Sequence, residues 1–139
     1  MTITQSFYAF VSADAGITAL SDNIFPSSVP IQEMYPALTF SLQSDEVTPL
    51  LSGFGCTNTA LMDVDTWDHS LLTAEALATA VKAALKVIPT GSPLTSDSFS
   101  GTMGSHQVSY VTKTRELHLQ ELDTGLYRTS MQFQITYGV

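Results

Sequence analysis

The sequence predicts an α+β fold, in which an antiparallel sheet of about four to five strands has two helices packed on it. Two periodicities lead to this prediction. Apolar and polar residues alternate in several segments, as in half-buried strands, while two other segments repeat apolar residues at helical spacing. The chain has 139 residues without internal repeats or a change in composition that would mark a boundary, so we expect one domain over residues 1–139.

The clearest signal is a hairpin at the end of the chain. After the Asp123-Thr124-Gly125 turn the residues alternate almost without interruption. Odd-numbered positions are mostly apolar and even-numbered positions mostly polar, which predicts an antiparallel strand with one buried face and one solvent-exposed face. Leu117 and Leu119 supply apolar positions on the partner strand. The buried face is expected to consist of Tyr127, Met131, Phe133, Ile135 and Tyr137.

Two segments have the spacing of amphipathic helices. Thr2 and Gln5 have the spacing of a capping box, which predicts a helix over about residues 3–14 with a short continuation through residue 20. A second helix is predicted to begin near residue 70 or 73 and to end before Pro89. Its apolar stripe consists of Leu77, Val81, Ala84, Leu85 and Ile88.

Two further strands are predicted between the helices, over residues 38–43 and 59–67, where apolar and polar residues alternate. In the second of these, the acidic residues fall on the face opposite the apolar ones. Before the final hairpin, the apolar residues shift from even-numbered to odd-numbered positions, which predicts a bulge or break over residues 112–116. Extended or loop structure is expected over three stretches, namely residues 23–35, 44–58 and 90–105.

Charge is unevenly distributed along the chain. The net charge is −8, and the part through Val81 contains nine acids and no lysine or arginine, whereas the remainder contains five bases and four acids. Because nucleic-acid binding depends on neutralising phosphates, this composition argues against a sequence-reading nucleic-acid binder. Cys56 is the single cysteine, so an intramolecular disulfide is excluded. Neither a signal peptide nor an apolar run long enough for a membrane span is recognisable, and we expect a soluble protein.

One cluster of possible metal ligands stands out, comprising Asp63, Asp65, Asp68 and His69. On a strand, Asp63 and Asp65 share a face, and their carboxylates could hold a hard cation such as magnesium. A small metal-dependent hydrolase is the function that would follow. The competing interpretation is a solvated or interface strand face followed by a helix-entry acid, and it is favoured because the glycine and glutamate positions of a calcium loop are absent. We expect no metal here.

No other pattern of residues indicates an enzyme. The serines form no nucleophile elbow, and the glycines form neither a phosphate-binding loop nor a dinucleotide fingerprint. The histidines have no recognised ligand spacing. We therefore expect neither catalytic activity nor a cofactor.

The segments of the chain follow one another in a recognisable order. An early helix ends in SADAGITAL and is followed by DNIFP, and the strand YPALTFSLQ comes next. The segment MDVDTWDHS then leads into the helix LTAEALATAVKAAL. The chain closes with ELDTGLYRTSMQFQITY, in which DTGLYR is the most specific part of the resemblance. This order of segments resembles the tail terminator, or tail completion, family of long-tailed bacteriophages and phage-derived particles. The resemblance covers most of the chain, except the two long predicted loops.

The resemblance implies a structural protein of the virion tail neck, made in the cytoplasm of the bacterial host. Such proteins form a ring, commonly a hexamer, that caps the tail tube and ends its elongation. Its partners are further copies of the chain, the tail tube protein and the head-side connector, with DNA passing through the lumen without specific binding. Another head–tail connector component is the alternative within the same biology.

Two groups of residues are candidates for roles in such a ring. Ring interfaces need apolar or aromatic anchors, and the predicted loops carry four of them, namely Leu50, Phe54, Phe99 and Met103. Acids that face a lumen would repel DNA phosphates and let DNA slide, and the candidates for this role are Asp45, Glu46 and Asp63.

Overall fold

A computed structural model describes residues 2–27, 34–49, 56–87 and 99–138. Across these ranges the chain forms three helices and six strands. The helices are α1 Ile3–Ala13, α2 Ala15–Thr18 and α3 Leu71–Ala84. The strands are β1 Ile24–Pro26, β2 Ala37–Pro49, β3 Cys56–Asp68, β4 Gly101–Met103, β5 His106–Glu121 and β6 Leu126–Gly138.

The six strands form one sheet in the order β1-β2-β3-β6-β5-β4, curled into a half-barrel. The sheet has more strands than the four to five predicted, and it is not wholly antiparallel, because β1 runs parallel to β2. Both missed strands are three residues long and lie in stretches predicted as connector or loop. A three-residue strand is too short to produce a recognisable alternation, so its pairing depends on distant residues.

The central strands are longer than predicted. β2 continues through Pro49, and β3 already begins at Cys56, so much of the predicted loop over residues 44–58 is strand. The register between these strands shifts between Leu42 and Ser44. Because side chains in a strand alternate between faces, one extra residue reverses the faces and interrupts the apolar pattern. That bulge explains why the strand was predicted to end early.

The final hairpin forms where the sequence predicts it, but its apolar face differs in part. Leu117 and Leu119 pair with Ser130 and Arg128 on the side away from the helices and are 44% and 41% exposed, and Tyr127 is only partly buried. β5 contains two register shifts, and the second, between Lys113 and Arg115, falls in the stretch where a bulge was expected. β6 pairs with β3 so that Phe133 lies opposite Met62, and both side chains are fully buried. Gly125 closes the β5–β6 turn with a φ of 70°, a conformation that glycine adopts without strain.

The helices pack on one face of the sheet. The capping box of α1 is present, since the Thr2 hydroxyl accepts from the Gln5 N–H at 3.2 Å and the Gln5 side chain accepts from the Thr2 N–H at 2.8 Å. α3 is held to β3 by the Thr66 hydroxyl, which donates to the Ala74 carbonyl at 2.9 Å. Among the largest buried side chains of the core are Phe7, Ile17, Leu38, Met62, Leu77, Leu85 and Phe133. None of the described helices has the length and apolarity needed to span a membrane.

Candidate assembly surfaces

The opposite face of the sheet, here called the helix-free face, is polar over β3 and β6. In the register of these strands Asp63 lies opposite Gln132, and the Gln132 amide donates to Asp63 Oδ1 at 3.1 Å. The Arg115 guanidinium lies 4.0 Å from the same oxygen. Alternation along the strands produces this arrangement, because the apolar partners of each strand are turned toward the helices. Over β3 and β6 the face is therefore mainly hydrophilic, whereas on β5 it carries Leu117 and Leu119, which are 44% and 41% exposed.

Asp65 lies one position further along the same face and is more enclosed. Burial raises the pKa of its carboxyl, while a hydrogen bond with Ser130 and the charge of Arg128 act in the opposite direction. Its Oδ1 is buried and has no hydrogen-bond partner within the described ranges. The carboxylate is thus held in a location that disfavours its charge.

An aromatic side chain covers the end of this face. The Trp67 indole N–H donates to the Thr39 hydroxyl at 3.0 Å, and the Arg128 guanidinium lies 5.1 Å from the centre of the indole ring. This cation–π contact connects β3 and β6, which place Trp67 and Arg128 opposite each other. The arrangement occupies the indole face, and it depends on strand pairing that the sequence pattern does not reveal.

The four potential metal ligands do not converge. Asp63 and Asp65 lie on the helix-free face, whereas Asp68 and His69 follow at the end of β3, where the His69 ring contacts the ring of Tyr35. Among residues 2–27, 34–49, 56–87 and 99–138, no group of three or more histidine, cysteine, aspartate or glutamate side chains is arranged to hold a metal ion.

A buried polar junction lies where the end of the sheet meets α1. The Ser6 hydroxyl is 2.6 Å from His106 Nδ1, and the His106 ring packs edge-on against the Tyr137 ring with centres 5.0 Å apart. The Tyr137 hydroxyl in turn donates to Asp45. Ser6 is completely buried, and a nucleophile must be reachable by its substrate. The serine–histidine contact therefore joins α1 to the sheet and does not form a catalytic pair.

The predicted interface anchors have different environments. Leu50 and Phe54 lie outside the described residues. Phe99 is half-buried and packs edge-on against Phe10, with ring centres 4.7 Å apart. Met103 is completely buried in the core, because the β4–β5 hairpin folds back under α1. Its side chain packs within its own chain and is not available to a neighbouring subunit, which corrects the expectation that it is a surface anchor.

The three predicted lumen acids do not share one face. Glu46 and Asp63 point to the helix-free face, whereas Asp45 points to the helix side, where it accepts the Tyr137 hydroxyl hydrogen. Asp45 and Glu46 are exposed, and Asp63 is partly covered by its neighbours. Asp45 and Glu46 are consecutive in the strand and so face opposite sides, and the bulge in β2 determines that Asp45 is the one on the helix side.

Comparison with known proteins identifies the family. The chain matches the family model described as "Tail completion protein gp17" over residues 5–138. Among solved structures, a chain of the virion of a native gene transfer agent particle shares the fold, with a TM-score of 0.64 and 17% sequence identity, over 99% of this chain and 95% of that chain. No curated protein matches. Since the family model covers nearly the whole chain, this protein belongs to the tail completion protein gp17 family and is a structural protein of the bacteriophage tail.

Proposed function

We propose that this chain assembles into a ring, with six copies as the expected number, that caps the tail tube. The ring ends tube elongation and offers its other side to the head-side connector. The observation that carries this proposal is the family match, which spans residues 5–138. The gene transfer agent particle, whose virion contains a chain of the same fold, supports a location within a phage-like particle.

The sheet provides a surface suited to the lumen of such a ring. All three described helices lie on one face, and the other face is mainly polar over β3 and β6, where Gln132 lies, with Leu117 and Leu119 exposed beside Arg115 on β5. A polar sheet face is stable when it contacts water, and a ring lumen is filled with water. We therefore assign the helix-free face to the lumen and the helices to the outside of the ring.

In this arrangement Asp63 and Glu46 would face the DNA that passes through the ring. Arg115 lies near Asp63 and offsets part of its charge. Repulsion of phosphates would keep DNA from adhering to the wall. Particles that carry Asp63→Asn should release DNA more slowly than wild-type particles. Equal release rates would remove the lumen role of Asp63 while leaving the capping role intact.

The capping role is tested by adding the purified protein to its tail tube protein during polymerisation. We expect tubes that stop growing and that carry extra ring-shaped density at one end in negative-stain electron micrographs. Leu50 and Phe54 remain proposed anchors, and the variant Phe54→Ser should then cap less efficiently. Tubes that lengthen unchanged without additional density would contradict the proposal and favour a connector component that binds on the head side.

A further inference from the structure

The two lateral borders of the sheet each contain a segment without a described strand partner. β1 pairs only with residues 38–40 of β2, and within the described ranges no strand pairs with the outer side of Leu42–Val47. At the opposite border β4 pairs only with residues 106–108 of β5, and no described strand adjoins the outer side of Thr112–Glu116. Backbone N–H and C=O groups at such borders are templates for pairing with another chain.

The two segments carry opposite charges. Leu42–Val47, here called the acidic edge, contains Asp45 and Glu46 and no base. Thr112–Glu116, here called the basic edge, contains Lys113, Arg115 and one acid, Glu116. That acid lies 2.8 Å from Lys82 on α3 and 3.7 Å from Lys113, and Arg115 lies 4.0 Å from Asp63. Three bases therefore meet two acids, and this border keeps an excess of one positive charge. The uneven charge along the sequence thus becomes a difference between the two borders of the sheet.

The register places these charges on matching faces. Asp45 lies opposite Ala60 and points to the helix side, and Lys113, opposite Phe133, points to the same side. Glu46 and Arg115 both point to the helix-free face. Each face therefore has an acid at one border and a base at the other, which is the distribution required for contact between unlike borders of two identical chains.

We propose that the acidic edge of one copy pairs with the basic edge of the next, so that the sheets join head to tail. This inference rests on the proposed ring and specifies its subunit interface. β2 and β5 run in opposite directions within the sheet, so a neighbour generated by rotation about an axis along the strands adds an antiparallel strand. Contacts between unlike surfaces generate closed rings when the rotation closes, whereas contacts between like surfaces stop at a dimer.

Charge reversal on each edge separates this interface from others. Glu46→Lys and Arg115→Glu should each raise the dissociation constant of the subunit contact by about five-fold. Sedimentation velocity measures this change in self-association. An equal mixture of the two variants should recover wild-type association, because the lysine introduced on the acidic edge of one variant meets the glutamate introduced on the basic edge of the other, and the remaining contacts are wild type. Only a contact between unlike edges predicts this mutual rescue.

Matched controls keep the result interpretable. Asp22→Lys and Lys86→Glu make the same charge changes at exposed positions outside both edges and should associate like the wild type. Arg115→Glu places an acid near Asp63, so the milder Arg115→Gln provides a second variant, and thermal unfolding verifies that each variant is folded.

The outcomes also distinguish this inference from the proposed function. Wild-type protein that stays monomeric up to its solubility limit, single variants that associate normally, or a mixture that fails to recover would each overturn the edge contact. A protein that associates through these edges but leaves tubes uncapped would retain the edge contact and overturn the capping role. If the Glu46→Lys variant caps tubes as well as the wild type, the capping role stands and the edge contact is overturned.

Discussion

Tyr137 donates its hydroxyl hydrogen to the carboxylate of Asp45, with distances of 2.8 and 2.7 Å to the two oxygens. The Asn58 amide donates to the same hydroxyl at 3.2 Å. This contact reaches from β6 across β3 to the far part of β2, where the bulge has turned Asp45 toward the helix side. Burial and the bond to Asp45 both raise the pKa of Tyr137, so the hydroxyl keeps its hydrogen over the working pH range.

Tyr137→Phe should lower the free energy of unfolding by about 1 kcal/mol, because it removes a hydrogen bond to a charged acceptor that is exposed and can be solvated instead. Urea unfolding measures this change. Tyr127→Phe is the matched control, since among the described residues the Tyr127 hydroxyl has only a long 3.4 Å contact with Gln120. Its effect should stay below about 0.5 kcal/mol. Equal losses in the two variants would mean that the Asp45 bond contributes nothing.

Gly104→Ala should destabilise the protein by about 2 kcal/mol or more. Gly104 has a φ of 58°, and a Cβ at this position would lie 2.6 Å from Ser6 Cα in α1. Gly125→Ala separates the steric clash from the strain of a positive φ. Gly125 also has a positive φ, of 70°, but nothing lies within 4 Å of an added Cβ. The control should lose only about 1 kcal/mol, the strain of the left-handed conformation. A loss at Gly104 no larger than at Gly125 would show that α1 moves aside readily.

Met103→Ala should lower the free energy of unfolding by about 2–5 kcal/mol, as for other buried large-to-small changes. The reason is its position in the core, where its side chain is fully buried. Leu122→Ala serves as the control, because Leu122 is 86% exposed in the β5–β6 turn and should change stability by less than about 0.5 kcal/mol. A stable Met103→Ala variant with reduced self-association would instead restore Met103 as an interface anchor.

The stability contributed by Glu116 should depend on pH. Burial by itself raises the pKa of Glu116, but the hydrogen bond and charge of Lys82 and the charge of Lys113 outweigh it, and the pKa lies below its ordinary 4.5. An acid whose pKa is lowered by folding stabilises the fold above its unfolded-state pKa and loses that contribution as pH falls through the lower folded pKa. Glu116→Gln should therefore be less stable than the wild type at pH 7.

The difference between Glu116→Gln and the wild type should shrink as the pH falls below about 4.5. The measurement is urea unfolding across this range. In a Lys82→Met background the effect of Glu116→Gln at pH 7 should also be smaller, because the main partner is missing. A difference that is the same at all pH values would show that packing, and not charge, is responsible.

Asp65 should have the opposite pH dependence. Its pKa is raised above its ordinary 3.8, chiefly by burial, so the ionised form destabilises the fold at neutral pH. Asp65→Asn should then be at least as stable as the wild type at pH 7, and its advantage should disappear as the pH falls toward 3.8. A clear loss of stability at pH 7 would indicate that the hydrogen bond with Ser130 outweighs the effect of burial.

Local patterns were sufficient for the elements that are long and regular. The Thr2 capping box, the face of β6 that contains Phe133, and the bulge near Lys113 were all predicted, because each depends on residues close together in the chain. The burial of Met103 was not predicted, because it depends on the β4–β5 hairpin packing under α1, where Gly104 lies against Ser6. Apolar residues in a polar stretch resemble surface anchors until their tertiary neighbours are known.

The sequence by itself determined which residues alternate, where α1 and α3 form, and that acids and bases are separated along the chain. The tertiary structure alone decided that β1 pairs parallel to β2, that the β2 bulge divides Asp45 from Asp63, and that the acidic and basic segments reach opposite borders of one sheet. The reason is physical: periodicity is set by neighbours in the chain, whereas strand order and register are set by burying apolar faces that lie far apart in sequence.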